Sequence, residues 1–386
     1  MIDPRLKWLP RDNDLKDHAL FDDSLFSKEA PGVIYEKRPI VDEQGKIVDG
    51  LYCAWILLNN PAQFNAYSTR MVKAVIAGFQ KASSDRSLVA VVFTGVGDKA
   101  FSSGGNTAEY AAYYGRRPEE YAEYIDLFIA MVDGILHCKK PVICRVNGMR
   151  VGGGQELGMA ADLAISSDLA IYGQAGPKHG SAPDGGATDF LPWYLGIEDA
   201  MYNCISCEPW SAYKMKMKGL ITEVVTVLRK DGKWIRNPLV RTDTYIEEGK
   251  IVYGEPVVGD ALERGKKLMA LCMTDFTLLD AEVQRLIWKL TNLFPQCLMK
   301  SIDSIRAKKR FFWDQVKDAN RYWLAANMNQ EAFVGFTAFA TRKQTGKDVI
   351  DFVKYRQLVA EGAQIDDDFH VAVLPKPRTQ TSRSMK

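Results

Sequence analysis

Short apolar runs rich in β-branched residues alternate with helix-period segments through the first two thirds of this chain. Leu51 to Leu58, Val89 to Thr94 and Pro141 to Val146 are apolar, strand-like runs. Between the first two, Ser68 to Ser83 repeats its apolar positions at helical spacing. Strands alternating with helices predict parallel pairing through βαβ units, an α/β fold. The pattern changes at both ends. Residues 1–32 are polar and without period, and read as an extension that wraps the core or a neighbouring subunit. The alternating region covers 33–227. In 228–259 the turns Asp231-Gly232 and Glu248-Gly249 separate short extended runs, which predicts a pair of hairpins. Residues 260–362 are mostly helical, with helices over Leu278 to Leu293 and Ile302 to Phe312, and 363–386 reads as a tail whose end, from Lys376, is disordered.

Two glycine-rich turns interrupt this alternation: Ser102-Ser103-Gly104-Gly105-Asn106 and Val151-Gly152-Gly153-Gly154-Gln155-Glu156. Each follows an apolar strand-like run. Glycine lets the backbone bend sharply and leaves its N–H open to a close ligand. Two such turns meeting at one point would offer two N–H donors to one oxygen, an oxyanion hole. Loss of one donor from such a hole costs about 3–4 kcal/mol of transition-state energy. The helix-like segment after the second turn would add its N-terminal dipole. Read singly, each is an ordinary strand-to-helix turn.

The surroundings of the pair are more specific. Leu58-Asn59-Asn60-Pro61, Asn65-Ala66, Phe93-Thr94-Gly95, Lys99 to Gly105, Val146-Asn147-Gly148 and Phe190-Leu191-Pro192 occur in one order with few gaps. In this the chain resembles the crotonase (enoyl-CoA hydratase/isomerase) superfamily from about Val33 to Val225 and again in the C-terminal helices. The resemblance implies a crotonase-like spiral of ββα turns with a C-terminal helical trimerisation region. It also implies an acyl-CoA substrate whose thioester oxygen is held by the N–H groups of Gly105 and Gly153. Phe64, Asn65, Ala66 and Ser103 fall where such proteins pass backbone around CoA. The assembly implied is a homotrimer or a dimer of trimers.

Glu156, two residues beyond Gly154, matches an acid/base glutamate of the hydratases; without the resemblance it is a first-turn glutamate favoured by the helix dipole. The hydratases' second glutamate falls at Gly176, within Gln174-Ala175-Gly176-Pro177-Lys178-His179, so a two-glutamate hydration lacks a partner here. Asp184 lies close to an aspartate carried by the naphthoate-synthase and dehalogenase branches; its plain reading is a turn aspartate capping the next helix. His179 lies between the two and can give or take a proton near neutral pH. The tyrosines 110, 113, 114, 121 and 124 are spaced for one or two helix faces over the acyl pocket, with packing as their default role. The extension, the insertion, Gly176, Glu156 and Asp184 together resemble a ring-opening hydrolase branch acting on a cyclic β-oxoacyl-CoA. Its chemistry adds one water to an enone and a second across a ring C–C bond, each activated by its own carboxylate. The alternatives are a ring-closing enzyme like naphthoate synthase, a plain enoyl-CoA hydratase and a non-catalytic scaffold.

Composition narrows the rest. A net charge of +2 gives no reason to expect nucleic acid or membrane as partner. The clusters Lys214-Lys216-Lys218 and Arg306-Lys308-Lys309-Arg310 read as solvated helix faces. Seven cysteines, odd in number and scattered, suit reduced thiols in a cytoplasm, with Cys204 and Cys207 as buried structural thiols. Four histidines, dispersed, argue against a catalytic metal, and the implied chemistry needs no cofactor beyond the CoA of the substrate.

Overall fold

A computed structural model describes residues 23–378. Most of the predicted N-terminal extension, and the last eight residues of the tail, lie outside the described residues. The main sheet has six strands in the order β1-β2-β3-β5-β7-β10. These are β1 (Gly32–Val41), β2 (Ile47–Asn59), β3 (Leu88–Gly95), β5 (Val142–Val146), β7 (Leu163–Ser167) and β10 (Glu223–Val225). Only the β1–β2 hairpin is antiparallel; β2, β3, β5, β7 and β10 pair in parallel. A second sheet lies in the order β4-β6-β8-β9, formed by β4 (Ala100–Ser102), β6 (Met149–Val151), β8 (Ile171–Gly173) and β9 (Trp210–Ser211). β3, β5 and β7 of the first sheet are each followed by a short strand of the second, β4, β6 and β8.

The long strands are apolar on both faces because both are covered. Ala54, Ile56, Val91 and Phe93 face the helices Thr69–Ser84 and Pro118–Leu136, while Cys53, Trp55, Val92 and Ile143 face Thr277–Thr291. Helix Thr69–Ser84 starts where the sequence places it, since Ser68 caps it by accepting from the Met71 N–H.

The region 228–259 forms the two expected hairpins, Leu228–Lys230 with Lys233–Ile235 and Ile246–Glu247 with Lys250–Ile251. Asp168 ties it to the core. Its buried carboxylate accepts from the N–H groups of Val227 and Asn237 at 3.2 and 2.9 Å. The segment 363–386 is not wholly irregular: Asp367–Val373 is a helix that buries Phe369 and Val373 against Val334.

One expectation is overturned in the 33-residue helix Pro295–Asn327. The cluster around residue 308 is not a solvated face, because Arg306 and Lys309 are buried. Arg306 binds Asp162 at 2.6 Å and the Lys140 carbonyl at 3.1 Å. Lys309 donates to the carbonyls of Met159 and Ala161 at 3.0 and 2.6 Å. Those are the orphan carbonyls at the end of helix Gly153–Ala160, where a cation is favoured. The long helix therefore grips the element whose other end opens the second glycine turn. Cys204 is buried and Cys207 partly so, both as free thiols.

Candidate active site

The two glycine turns meet. They leave adjacent parallel strands, β4 and β6, at the same end. Gly104 (φ +100°) and Gly152 (φ +56°) bend the chain back, and a Cβ on Gly104 would lie 2.9 Å from the Gly153 nitrogen. The turns are fixed by Ser103 N–H to the Phe64 carbonyl (3.0 Å), Tyr67 N–H to Gly104 (3.0 Å) and Gly152 N–H to Gly173 (3.0 Å). The Gly104 N–H is held by the Ser102 hydroxyl at 3.1 Å. None of these bonds uses the N–H of Gly105 or Gly153.

Both glycines border a cavity of about 710 Å³. Aromatic residues form much of its wall, including Tyr67, Tyr110, Tyr121, Tyr124 and Phe128. Tyr110 and Tyr114 lie on a π-helical turn, Tyr110–Tyr114, and Tyr121 and Tyr124 on the next helix. The hydroxyls of Tyr110 and Tyr124 share a hydrogen bond of 2.6 Å. Burial holds Tyr67, Tyr110, Tyr121 and Tyr124 well above the usual tyrosine range, so these phenols stay neutral. They also press on the turns: a Cβ on Gly153 would stand 1.9 Å from the Tyr67 hydroxyl. The packing role expected for these tyrosines holds for Tyr110, Tyr114, Tyr121 and Tyr124, which are buried, while Tyr113 is exposed; the Tyr110 hydroxyl also packs on Gly105.

Glu156 lies in the first turn of helix Gly153–Ala160 and lines the same cavity. Its Oε1 accepts from the Gly185 N–H at 3.0 Å. Burial pushes its pKa up to about 8, with the negative charges of Asp184 and Asp189 adding to the rise and the Gly185 N–H opposing it. The acid and ionised forms are therefore both accessible near neutral pH. Asp189, at the start of helix Ala187–Leu195, is itself raised to about 6 by burial and by Asp184.

Asp184 is placed differently from expectation. It is absent from the cavity lining, and its carboxylate accepts from the Thr188 hydroxyl at 3.4 Å, ahead of helix Ala187–Leu195. The local reading of a turn aspartate describes its contacts, since a carboxylate four residues before a threonine in a nascent helix finds that hydroxyl. Only one of the two expected carboxylates faces the cavity.

The loop from Gln174 to Ser181 forms another wall. Gly176 sits where a hydratase carries its second glutamate, and a Cβ there would be 2.8 Å from the Ser181 carbonyl oxygen. The loop leaves no room for that side chain. His179 lines the cavity with its ring edge-on to Phe339 at 4.8 Å. Burial, aided by the charge of Lys178, lowers its pKa to about 4, so it is neutral at pH 7.

Of the residues assigned to CoA, Phe64, Ala66 and Ser103 line the cavity. Asn65 does not, because its amide is spent on the backbone. It donates to the carbonyls of Val96 and Ala100 at 2.9 and 2.7 Å and accepts from Asn60 at 2.9 Å. Phe64 and Asn65 both have positive φ (53° and 54°), so this asparagine holds a strained turn in place. Four polar or charged lining residues show why sequence reasoning misses such positions. Tyr67 follows Asn65-Ala66 with no periodic signal, Arg342 and Lys343 come from the distant C-terminal region, and Gln174 passed as part of a loop motif. Among the described residues no cluster of His, Cys, Asp and Glu could hold a metal ion, and no helix is long and apolar enough to cross a membrane.

The profile described as enoyl-CoA hydratase/isomerase matches residues 52–237. A Syntrophus aciditrophicus protein named 6-oxocyclohex-1-ene-1-carbonyl-CoA hydrolase is 60% identical over 377 residues, 96% of this chain and 99% of its own. A Thauera aromatica protein of the same name is 50% identical over 94% of this chain and 95% of its own. Among solved structures, an enoyl-CoA hydratase/isomerase from Xanthobacter autotrophicus Py2 superposes with a TM-score of 0.59 over 82% of this chain and 93% of its own, at 20% identity. An enoyl-CoA hydratase from Mycobacterium avium subsp. paratuberculosis gives 0.57 over 81% of this chain and 100% of its own, at 19% identity. These two share the fold, and the fold is crotonase-like. The chain belongs to the enoyl-CoA hydratase/isomerase family, alongside relatives named as ring-substrate CoA hydrolases that it matches almost from end to end.

Proposed function

We propose that this protein hydrolyses 6-oxocyclohex-1-ene-1-carbonyl-CoA with opening of its ring. The observation that carries the reading is the 60% identity to a hydrolase of that name over 96% of the chain. The cavity suits the chemistry. The substrate's C1=C2 double bond is conjugated to a thioester and to a ring ketone at C6. Water adds at C2, and charge flows to the thioester oxygen between the N–H groups of Gly105 and Gly153. Ionised Glu156 takes the water's proton and returns it to C1. A second water attacks C6, the C1–C6 bond breaks in a reverse Claisen step, and its electron pair forms the same thioester enolate. Glu156 carries that proton to C1 as well, giving 3-hydroxypimeloyl-CoA.

With one carboxylate in the lining, both transfers fall to Glu156. Asp184 acts through it by raising its pKa. Neither step changes the oxidation level overall, so the reaction needs no redox cofactor. Phe64, Ala66 and Ser103 flank the CoA path, the Asn65 turn shapes it, and Arg342 and Lys343 offer cations to phosphates. We further propose a cytoplasmic homo-oligomer, a trimer or a dimer of trimers. Ile305, Phe311 and Trp323 on the long helix are exposed apolar residues that suit a subunit contact, and mass photometry against 43.3 kDa per chain tests it.

The decisive experiment incubates the protein with this thioester in H₂¹⁸O. Gain of two waters, one label in the hydroxyl and one in the new carboxylate, is expected. One water with the ring intact makes it a hydratase, and no uptake refutes the reading.

A further inference from the structure

Gln174 leaves β8 directly after Gly173, which lies opposite Val151 in the parallel β6–β8 pair. Gly173 also accepts from the N–H of Gly152. Gln174 therefore stands one strand away from the Gly152-Gly153 turn, a spacing of about 4.8 Å. It is only 2% exposed, it lines the cavity, and neither its Oε1 nor its Nε2 has a hydrogen-bond partner. His179, five residues on, lines the same cavity with its buried Nδ1 also unpartnered. Leaving one buried polar group unpaired costs about 1–3 kcal/mol. The loop itself is not slack, for Ser181 N–H binds the Gly176 carbonyl at 2.8 Å and Asn327 fixes Gly180 at 2.8 Å. Unpaired groups on a fixed loop, facing a cavity, are groups that a ligand completes.

Resting on the reaction proposed above, the ligand's chemistry follows. Its two carbonyl carbons are both bonded to C1. With the thioester oxygen at Gly105 and Gly153, the ring oxygen has to find its donors about one strand spacing away. The reverse Claisen step needs a donor there, because a second oxyanion forms at C6. We propose that Gln174 and His179 form this second carbonyl site. The Gln174 Nε2–H donates to the ring-ketone oxygen, while the attacking water points one O–H at ionised Glu156 and shares the other between Gln174 Oε1 and His179 Nδ1. As the water oxygen bonds to C6, the C6=O π pair moves onto oxygen and is stabilised by Gln174, and the water's proton passes to Glu156. When the oxyanion collapses, the C1–C6 pair goes to C1, which takes the proton back from Glu156. The new carboxylic acid then loses its proton to solvent.

The ketone oxygen shares the charge of the first addition with the thioester oxygen but carries the whole oxyanion when C6 is attacked, so ring opening should suffer more than hydration. In H₂¹⁸O, Gln174→Leu is expected to slow the first addition modestly, by about tenfold or less, and ring opening by about 100-fold or more. The singly labelled, ring-intact hydroxy-ketone then accumulates. His179→Leu should show the same split more weakly. Removing an unpaired buried amide should leave the melting temperature of Gln174→Leu unchanged or higher, which distinguishes lost chemistry from lost folding. Equal slowing of both steps, or unchanged ring opening, overturns the proposal. If wild type itself takes up no second water, it is the reaction proposed above that fails.

Discussion

The cavity has two differently built sides. The side proposed to hold the thioester is backbone: two turns at the ends of adjacent strands, built on glycines that tolerate no side chain. The opposite side is made of side chains on the loop from Gln174 to Gly185, where Glu156 is tethered to a backbone N–H and Gln174 has no partner at all. A backbone site is hard to alter except by loss of the fold around it. A side-chain site can change while the sheet stays as it is. A crotonase scaffold can thus keep one fixed grip on thioesters and vary the chemistry next to it.

The largest effect should come from the single carboxylate. Glu156→Gln keeps the shape and the hydrogen bond to the Gly185 N–H but cannot accept a proton. Steady-state turnover should fall by about 10²–10⁴-fold, with both waters lost together. Near-normal turnover would end the proton-carrier role. The same variant should be more stable at alkaline pH. Native Glu156 holds its proton up to about pH 8 and the unfolded chain releases it near 4.5, so wild type loses stability as pH rises between these values. Glu156→Gln has no such loss, so its melting temperature relative to wild type should rise from about pH 5 to pH 8, with the gap already open at pH 6 and larger at pH 9.

The backbone side predicts a smaller loss with a specific remedy. Gly153→Ala puts a Cβ 1.9 Å from the Tyr67 hydroxyl and 3.1 Å from its ring carbon. It should cost about 10²-fold in kcat, the scale of one misplaced oxyanion donor. Adding Tyr67→Phe removes the clashing atom and should recover part of that loss, a coupling that a kinetic double-mutant cycle measures. Purely additive losses would mean that the hydroxyl does not set the turn.

The two sides also differ in how far the sequence reveals them. The two turns are legible from their glycines, and Gly105 and Gly153 are singled out within them by the resemblance to the crotonase superfamily. The strands and the two hairpins are legible because their periods and turn residues are local. Arg306 and Lys309 misled, since their charge is satisfied by Asp162 and by helix-end carbonyls well over a hundred residues away. Gln174 was invisible for a related reason: a buried amide without a partner is a property of three-dimensional surroundings. Asp184 shows the middle case. Its type and position suggested chemistry, yet a local bond to Thr188 decided where its carboxylate points.

Asp184→Asn gives the smallest effect and the finest test of the division between the sides. If Asp184 acts only through its charge on Glu156, removing that charge lowers the Glu156 pKa while burial, the larger cause, keeps it above the usual carboxylate range. Since Glu156 must be ionised to accept the water's proton, wild-type kcat/KM should rise with pH and level off above about 8. In Asp184→Asn the rising limb should move to lower pH, with the plateau within about tenfold of wild type. At pH 6 the variant could then match or exceed wild type. A collapse of the plateau with no movement of the limb would instead make Asp184 a base for one of the waters, as the sequence alone suggests. That outcome would require the loop to carry its carboxylate into the cavity once substrate is bound, and it would make this side of the site the mobile one.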